Sequence, residues 1–414
     1  MQTIQTRRAM IAWLAAALCH LVETLHRTFP AAAFVGLAAD LGADAAAMGL
    51  IGSAYFFIYM FMQVPGGLLG DTYGPVPVYT VGTVVAGIGS LVLAASHSIA
   101  QAFIGRFLVG LGVAVIFVNV LALQAELFSP AIFATLSGWV AFLGNIGSVV
   151  GMAPLAKLCD RVGWRRAAQL LALVSGVVAV VAWVAGRPFN RKQEKKGSQN
   201  LRAQAGTLFT TGGVKAVLLS YFCTCGPLMA IVTLWGMPYI MSIWEVSSAQ
   251  AAASLGLIPL ATMISAPLLG TLADRLGKKR PLLLSCYGLQ TAALVALLML
   301  SPDKASYWTV SLCCFLLGIP NSMYVLFIAE MKDRSPKEMA GFAVSVANFI
   351  GFLGAFILQL VTGWVINLVN GQGQITGVYT TAALRAGFGF CLAVTCVGFV
   401  ACYLIPAGNP RGTN

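Results

Sequence analysis

The sequence predicts an all-α membrane protein with twelve transmembrane helices, arranged as two pseudo-symmetric six-helix bundles. Of its 414 residues, 59% are hydrophobic and only 9% are charged, whereas soluble proteins carry roughly 25% charged residues. The apolar runs are about twenty residues long or longer, which is the length of a helix that crosses a bilayer. Glycine and polar positions of the first half recur in the second half. These three observations together predict the fold.

The predicted spans form two sets of six on either side of a basic central segment. They are assigned from the apolar runs, because a helix satisfies its own backbone hydrogen bonds in lipid. The spans are 10–38, 47–70, 76–96, 99–125, 131–156 and 166–186, and then 213–241, 248–272, 281–300, 306–329, 339–369 and 378–405. We therefore predict an N-terminal bundle at 1–186, a cytoplasmic basic linker at 187–212 and a C-terminal bundle at 213–414.

The charge distribution predicts the orientation of the chain. The net charge is +12, and most basic residues lie in loops that face one side if the N-terminus is cytoplasmic. This bias places both termini in the cytoplasm, and we expect a bacterial inner membrane. The basic cluster 157–166 is an exception, since it falls on the opposite side. The lipid bilayer accounts for the charge placement, so no nucleic-acid partner is expected.

A short loop motif occurs once in each half. Gly67, Asp71 and Gly74 lie at and just after the end of the second span, and the same pattern returns at 270–277. The two aspartates, Asp71 and Asp274, are separated by 274 − 71 = 203 positions. The same separation relates Gly138, Asn145 and Gly151 to Gly341, Asn348 and Gly354. Duplicated six-helix halves of this kind are a transporter architecture.

The second copy of the motif reads GTLADRLGKKR and resembles the G-x-x-x-D-R-x-G-R-R signature of the major facilitator superfamily. The first copy departs from it, because Thr72, Pro75 and Val76 replace the basic residues. The resemblance spans nearly the whole chain and includes the run from Arg106 to Gly112. It implies a secondary transporter, and within the superfamily it is closest to the organophosphate and anion:cation symporter groups, which carry organic anions.

The motif aspartates are expected to form a gate. Serine followed by proline at 129–130 and at 335–336 predicts the starts of helices 5 and 11. A helix N-terminus attracts carboxylates, so Asp71 is expected to dock at the start of helix 11 and Asp274 at the start of helix 5. The predicted gating residues are Gly67, Asp71, Gly74, Gly270, Asp274, Arg275, Gly277, Glu126 and Glu330.

The first span carries a cluster of polar and charged residues. His20, Glu23, Thr24 and Arg27 lie within about a 100° arc of one helical face. A charge at the bilayer centre costs roughly 2.5–3.5 kcal/mol, so these residues are expected to face a cavity or each other. Glu23 and Arg27 are either a structural ion pair or a substrate site, in which Arg27 meets an anion and Glu23 or His20 carries a proton.

Other polar residues inside apolar runs extend the candidate binding site. They either line a central cavity or form interhelical hydrogen bonds. These candidates are Tyr55, Tyr59, Asn119, Asn145, Trp235, Asn321 and Asn348. Arg106, near the outer end of helix 4, is given a role in proton coupling by the family resemblance, although an arginine that snorkels to the interface fits its position as well.

We therefore interpret the chain as a secondary active transporter that moves a small organic anion, a carboxylate or an organophosphate, by alternating access with a co-transported proton. An amino-acid uptake permease, a drug or metabolite efflux pump and a transporter-like ligand sensor remain as alternatives. No phosphate-cradling loop or metal-ligand spacing occurs, so we expect no enzyme activity, cofactor or metal. A monomer is expected.

Overall fold

Helices form almost the whole of the computed structural model, which describes residues 2–190, 201–303, 306–336, 339–371 and 379–406. The chain divides into two compact units, Met1–Ala43 with Leu50–Lys196, and Asp44–Gly49 with Gly197–Asn414. The helices up to the linker are α1 Gln2–Ala32, α2 Phe34–Leu41, α3 Ala45–Phe61, α4 Pro65–Tyr73, α5 Pro75–Ala94, α6 Ile99–Val113, α7 Ile116–Leu127, α8 Pro130–Val150, α9 Ala153–Val162 and α10 Trp164–Gly186.

The helices after residue 200 complete the chain. A π-helical turn, Ile231–Trp235, joins two of them. They are α11 Leu201–Thr210, α12 Val214–Ala230, α13 Gly236–Trp244, α14 Ser248–Leu276, α15 Arg280–Met299, α16 Tyr307–Asn321, α17 Met323–Arg334, α18 Ala340–Asn370 and α19 Thr381–Tyr403. Of the predicted linker 187–212, residues 187–189 form a 3-10 turn and α11 covers 201–210, while 191–200 lie outside the described residues.

The predicted number of spans is confirmed. Among the described residues, eleven helical segments are long and apolar enough to cross a membrane, and the pair α2 and α3, bent by 119°, raises the number to as many as twelve. Several spans are broken near their middle. The predicted second span, 47–70, consists of α3 and α4, and the fourth consists of α6 and α7.

The predicted serine-proline start is observed for helix 5. Helix α8 begins at Pro130, with Ser129 in an extended conformation at the N-cap position. Ser335 is also extended and directly follows α17, and its hydroxyl donates to the carbonyl of Lys332. The Met339 N–H donates to the Pro336 carbonyl at 2.9 Å, and α18 begins at Ala340. Residues 337–338 lie outside the described residues, so the start of helix 11 at Ser335 stays a prediction.

The loop glycines of the repeated motif have the backbone conformation that explains their recurrence. Gly74 has φ +87° and Gly277 has φ +61°, a region in which a side chain is strained. At the first copy, the Asn190 amide accepts from the Val76 backbone N–H at 3.3 Å and donates to the Tyr73 carbonyl at 3.3 Å. A neutral asparagine therefore bridges the turn in the copy that lacks the basic residues.

The basic cluster 157–166 is partly explained by packing in the first unit. Arg165 Nε lies 3.3 Å from the Asp40 carboxylate, and its Nη1 donates to the carbonyls of Ala94 and Ser96 at 2.8 and 2.6 Å. The Trp164 indole donates to the same carboxylate at 2.9 Å. Arg165 thus holds together the ends of α2, α5 and α10, so a structural demand outweighs the charge bias at this position.

In the second unit a buried arginine joins three segments. Arg334, at the end of α17, lies 2.6 Å from the Glu330 carboxylate. Its guanidinium also donates to the carbonyls of Gly212 at 3.1 Å and Pro406 at 2.9 Å. Arg334 is 4% exposed, so these contacts satisfy a charge that would otherwise be costly to bury. They fix α17 to the segments before α12 and after α19.

Candidate functional site

The predicted polar face of α1 assembles around one carboxylate. Glu23 is fully buried. Its Oε1 accepts from Arg27 Nη2 at 2.7 Å and from the Tyr59 hydroxyl at 3.0 Å, and its Oε2 lies 2.8 Å from His20 Nδ1. An ionised carboxylate is acceptor-only and can take several donors at once. The structure therefore brings four of the predicted residues into contact, three of them on α1 and one on α3.

Arg27 and two tyrosines of α3 form the next part of the site. Arg27 Nε donates to the Tyr55 hydroxyl at 3.3 Å, and its guanidinium lies 5.8 Å from the centroid of the Tyr59 ring. The two rings are stacked, with centroids 5.6 Å apart and planes inclined by 16°. The Arg27 side chain is 20% exposed whereas Glu23 is inaccessible, so Arg27 is the part of the ion pair that a ligand can reach.

The guanidinium of Arg106 contacts the ring of Tyr55. Arg106 of α6 lies 5.1 Å from the centroid of the Tyr55 ring, and its Nη1 donates to the His26 carbonyl at 2.9 Å. It is 1% exposed, and its Nε has no hydrogen-bond partner among the described residues. No carboxylate of those residues forms an ion pair with it. The interfacial, snorkelling alternative for Arg106 is therefore wrong.

His26 points away from this cluster, into the interface with α5 and α10. Its Nε2 lies 2.9 Å from the Ser175 hydroxyl and its Nδ1 lies 3.1 Å from the Ser90 hydroxyl. The Ser175 hydroxyl already donates to the Leu171 carbonyl at 2.8 Å, so it accepts from Nε2, and Nδ1 accepts from Ser90. One donor and one acceptor nitrogen is the pattern of a neutral imidazole.

Glycines of α8 allow this polar face of α1 to pack closely. A Cβ atom added at Gly144 would lie 2.4 Å from His20 Nε2, and one at Gly147 would lie 2.2 Å from the Thr24 hydroxyl. The Thr24 hydroxyl donates to the Gly144 carbonyl at 2.7 Å. Small residues let membrane helices approach to such distances. The glycines of α8 are therefore needed to position the charged cluster.

Two of the predicted amide ligands in the first unit bond to backbone carbonyls. Asn119 is fully buried, and its Nδ2 donates to the carbonyls of Gly66 at 3.0 Å and Val115 at 2.7 Å. This contact joins α4 to α7. Asn145 Nδ2 donates to the Ala141 carbonyl of its own helix at 3.0 Å. Neither residue joins the cluster around Glu23 by a hydrogen bond, and a role in binding stays a prediction for both.

The predicted ligands in the second unit are uncharged and lie on three different segments. Asn321 Nδ2 donates to the Thr262 hydroxyl at 3.0 Å. Trp235 is fully buried, and its indole donates to the Gln359 carbonyl at 3.0 Å. Asn348 is half-buried in α18.

The predicted gating residues lie at the ends of helices. Gly67 and Asp71 are in α4, and Gly74 follows its last residue. Gly270, Asp274 and Arg275 are in α14, where the two charged side chains are exposed. Glu126 is half-buried in α7, and Glu330 pairs with Arg334 in α17. Their role in a gate stays a prediction.

Two features of the sites were not found from the sequence. Gln359 of α18 is 1% exposed, and it was not singled out although it is a polar residue inside an apolar run. The burial of the Arg106 side chain was also not predicted. Hydropathy indicates where a residue lies along a span, but the face of α6 that points into the protein is decided by its packing against α1 and α3.

The chain is similar to membrane transporters throughout its length. The family model of the Major Facilitator Superfamily matches residues 13–359 and 217–413. The chain is 23% identical to the nitrite extrusion protein of Bacillus subtilis (strain 168), over 77% of this chain and 76% of that protein. It is 26% identical to the 3-(3-hydroxy-phenyl)propionate transporter of Escherichia coli (strain K12), over 85% of this chain and 86% of that protein. The crystal structure of the nucleoside transporter NupG superposes with a TM-score of 0.79 at 13% identity, covering 96% of this chain and 99% of that one.

Proposed function

The chain belongs to the Major Facilitator Superfamily of membrane transporters, and we propose that it carries small organic anions, with carboxylates as the substrate class. One observation supports this proposal most directly, the excess of positive charge around Tyr55. Arg27 and Arg106 contribute two cationic groups, whereas Glu23 contributes one carboxylate. A buried cation without a counter-ion is costly in a membrane, and a bound anion supplies the missing negative charge.

The accessibility of the two arginines gives them different roles in this proposal. Arg27 is the more exposed and binds the carboxylate of the substrate, because its fork of N–H donors matches a carboxylate in two parallel hydrogen bonds. Arg106 acts from behind Tyr55 and raises the positive potential of the site. The names of two relatives agree with a negatively charged cargo, since nitrite and 3-(3-hydroxy-phenyl)propionate are both anions.

The proposed driving ion is the proton. Glu23 shares Arg27 with the incoming substrate, so a substrate carboxylate that binds Arg27 competes with the Glu23 carboxylate for the same donors. Protonation of Glu23 removes that competition. His20, at 2.8 Å from Glu23, provides a second titratable group on the path of the proton. The membrane is the bacterial inner membrane, with both termini in the cytoplasm, and Asp71 and Asp274 form the cytoplasmic gate.

The anion proposal is tested with Arg106→Gln. We expect the affinity for carboxylates to fall about tenfold, which corresponds to about 1.4 kcal/mol of lost electrostatic attraction. Binding is measured by the thermal shift of the purified protein with increasing concentrations of nitrite, butyrate and 3-phenylpropionate, since a ligand stabilises the folded state by mass action. Arg166→Gln, which removes an exposed arginine of the same unit, is the matched control. Binding of amines in place of these anions would contradict the proposal.

The role of Glu23 in proton coupling is tested with Glu23→Gln. The glutamine keeps the shape of the side chain but cannot be ionised, so we expect anion exchange between the two sides to persist while accumulation driven by a pH gradient is lost. Uptake into proteoliposomes with and without the gradient measures both. The control is Glu245→Gln, which neutralises an exposed carboxylate in a loop. Gradient-driven accumulation by Glu23→Gln at the wild-type level would show that Glu23 is only a structural partner of Arg27.

A further inference from the structure

A cluster of buried oxygen atoms lies where α14 packs against the break between α16 and α17. Helix α16 ends at Asn321 and α17 begins at Met323, so Ser322 lies at the break. The hydroxyl groups of Ser322 and of Ser265 in α14 form a hydrogen bond with each other. Ser265 is 7% exposed and Ser322 is fully buried. The cluster lies entirely within the second unit.

Two backbone carbonyls belong to the same cluster. Ser265 Oγ lies 3.5 Å from the carbonyl oxygen of Thr262 and 3.5 Å from that of Gly318. Ser322 Oγ lies 3.3 Å and 3.5 Å from the same two oxygens. Thr262 Oγ1, at 2.9 Å from the Gly318 carbonyl, is a fifth oxygen. The two helices approach closely here, since a Cβ added at Gly318 would lie 2.3 Å from the Ile258 carbonyl oxygen.

The cluster has too few protons for its oxygens. Each hydroxyl carries one proton, so Ser265 and Ser322 together supply one proton beyond the bond between them. Their distances of 3.3–3.5 Å to the two carbonyls exceed the length of about 2.5–3.0 Å that is usual for O–H···O hydrogen bonds. The Thr262 hydroxyl lies 2.9 Å from the carbonyls of both Ile258 and Gly318. Lone pairs therefore face one another, an arrangement that a cation stabilises.

The end of α16 adds negative potential at the same point. In a regular helix the Ser322 backbone N–H would donate to the Gly318 carbonyl, but it donates to the Ile319 carbonyl at 3.0 Å instead. Gly318 lies in the last turn of α16, where the backbone carbonyls carry a partial negative charge. In membrane transporters, carbonyls at the ends of broken helices coordinate small cations. The helix end and the hydroxyls thus favour a cation in the same place.

The first unit satisfies the equivalent carbonyl with an N–H donor. Asn119 is the repeat counterpart of Ser322, and Val115 is the counterpart of Gly318, because 322 − 119 = 203 and 318 − 115 = 203. Asn119 Nδ2 donates to the Val115 carbonyl at 2.7 Å. In the second unit a serine replaces this amide, and its hydroxyl lies 3.5 Å from the carbonyl. The break in the second unit is therefore rich in acceptors where the break in the first unit has a donor.

We propose that Thr262, Ser265, Gly318 and Ser322 form a sodium site, a function beyond the anion transport proposed above. Every ligand is a neutral oxygen, which suits a monovalent cation, since divalent cations are usually bound by carboxylates. Around Ca²⁺, whose radius is close to that of Na⁺, oxygens at about 2.3–2.6 Å lie about 3.3–3.7 Å apart in an octahedron. The hydroxyl-to-carbonyl distances of 3.3–3.5 Å match this spacing. No ligand is charged, so the spacing of metal-binding residue types in the sequence could not reveal the site.

Sodium binding is tested by thermal unfolding of the purified full chain in NaCl, KCl and choline chloride at equal ionic strength. We expect NaCl to raise the melting temperature in a saturable manner, because a ligand stabilises the folded state by mass action. KCl should need a concentration about tenfold higher or more for the same shift, since K⁺ is too large for this spacing. Equal melting curves in NaCl and choline chloride, or equal effects of NaCl and KCl, would overturn the inference. The test needs no transported anion, so its outcome is independent of the anion proposal.

Two serine variants locate the bound ion. Ser265→Ala and Ser322→Ala each remove one ligand oxygen without adding an atom, and one folded variant of the two suffices. We expect sodium affinity to fall about tenfold or more, because even the loss of an outer-shell partner lowers metal affinity about 10–100-fold. Ser311→Ala, which removes another buried hydroxyl of α16, bonded to Ser254 at 2.8 Å, is the matched control and should keep the sodium response. A wild-type response in the site variants, or its loss in the control as well, would overturn the inference.

Discussion

Replacing Arg27 by glutamine is expected to lower carboxylate affinity about a hundredfold, which corresponds to about 2.7 kcal/mol, and to lower the stability of the protein as well. The first effect follows from the loss of the accessible guanidinium. The second arises because Glu23 loses its cationic partner while it stays fully buried. Removing one member of a buried ion pair typically costs about 3–5 kcal/mol. Equilibrium binding and thermal unfolding of the purified variant measure the two effects.

A double variant separates the binding role of Arg27 from its structural role. In Glu23→Gln/Arg27→Gln both charges of the pair are absent, so most of the lost stability should return. The anion affinity should stay low, because no accessible guanidinium is restored. If the double variant instead bound carboxylates as tightly as the wild type, Arg27 would be only the structural counter-ion of Glu23. Arg27→Lys, which keeps the charge but not the forked donors, should bind anions with intermediate affinity.

Gly147→Ala adds one methyl group and is expected to lower the stability of the protein strongly. An added Cβ would lie 2.2 Å from the Thr24 hydroxyl and 2.4 Å from the Leu21 carbonyl oxygen. The second neighbour is backbone, so α1 and α8 have to move apart, and the Thr24 hydrogen bond to Gly144 is disrupted. Overpacking of this kind costs about 1–3 kcal/mol or more, which thermal unfolding in detergent would detect.

Gly138→Ala in the same helix is the matched control. An added Cβ there has no neighbour within 4 Å, and alanine favours the helix over glycine by up to about 1 kcal/mol. Its melting temperature should therefore equal or exceed that of the wild type. Equal melting temperatures for the two variants would show that the close packing of α1 on α8 is not required. Because Thr24 and His20 lie on this interface, Gly147→Ala should also weaken anion binding.

Much of the candidate site could be predicted from residue types and spacing. Glu23 and Arg27 are four residues apart, so their pairing follows from helical geometry, and charged side chains inside a span rarely lack a partner. The contacts that cross between helices could not be predicted in this way. Tyr59 and Tyr55 were candidates on their own, but their stacking and their bonds to Glu23 and Arg27 depend on how α3 packs against α1.

Helix boundaries show the same limit at the level of secondary structure. The pair Ser129–Pro130 predicts the start of α8 from its local preference alone, since a favourable capping residue is worth about 1 kcal/mol. The contacts at the end of α17 could not be predicted in this way. Arg334 bonds there to Glu330, Gly212 and Pro406, and the last two belong to segments far from α17 in the chain.

The sequence by itself determined the membrane-embedded helical fold, the number of spans, the repeat of the halves and the charged face of α1. These properties follow from hydropathy, length and helical spacing, which are local and additive along the chain. Only the tertiary structure decided that Arg106 is buried behind Tyr55 and that His26 faces two serines. Those facts depend on which side of a helix meets its neighbour, and this is settled by packing between segments far apart in the chain.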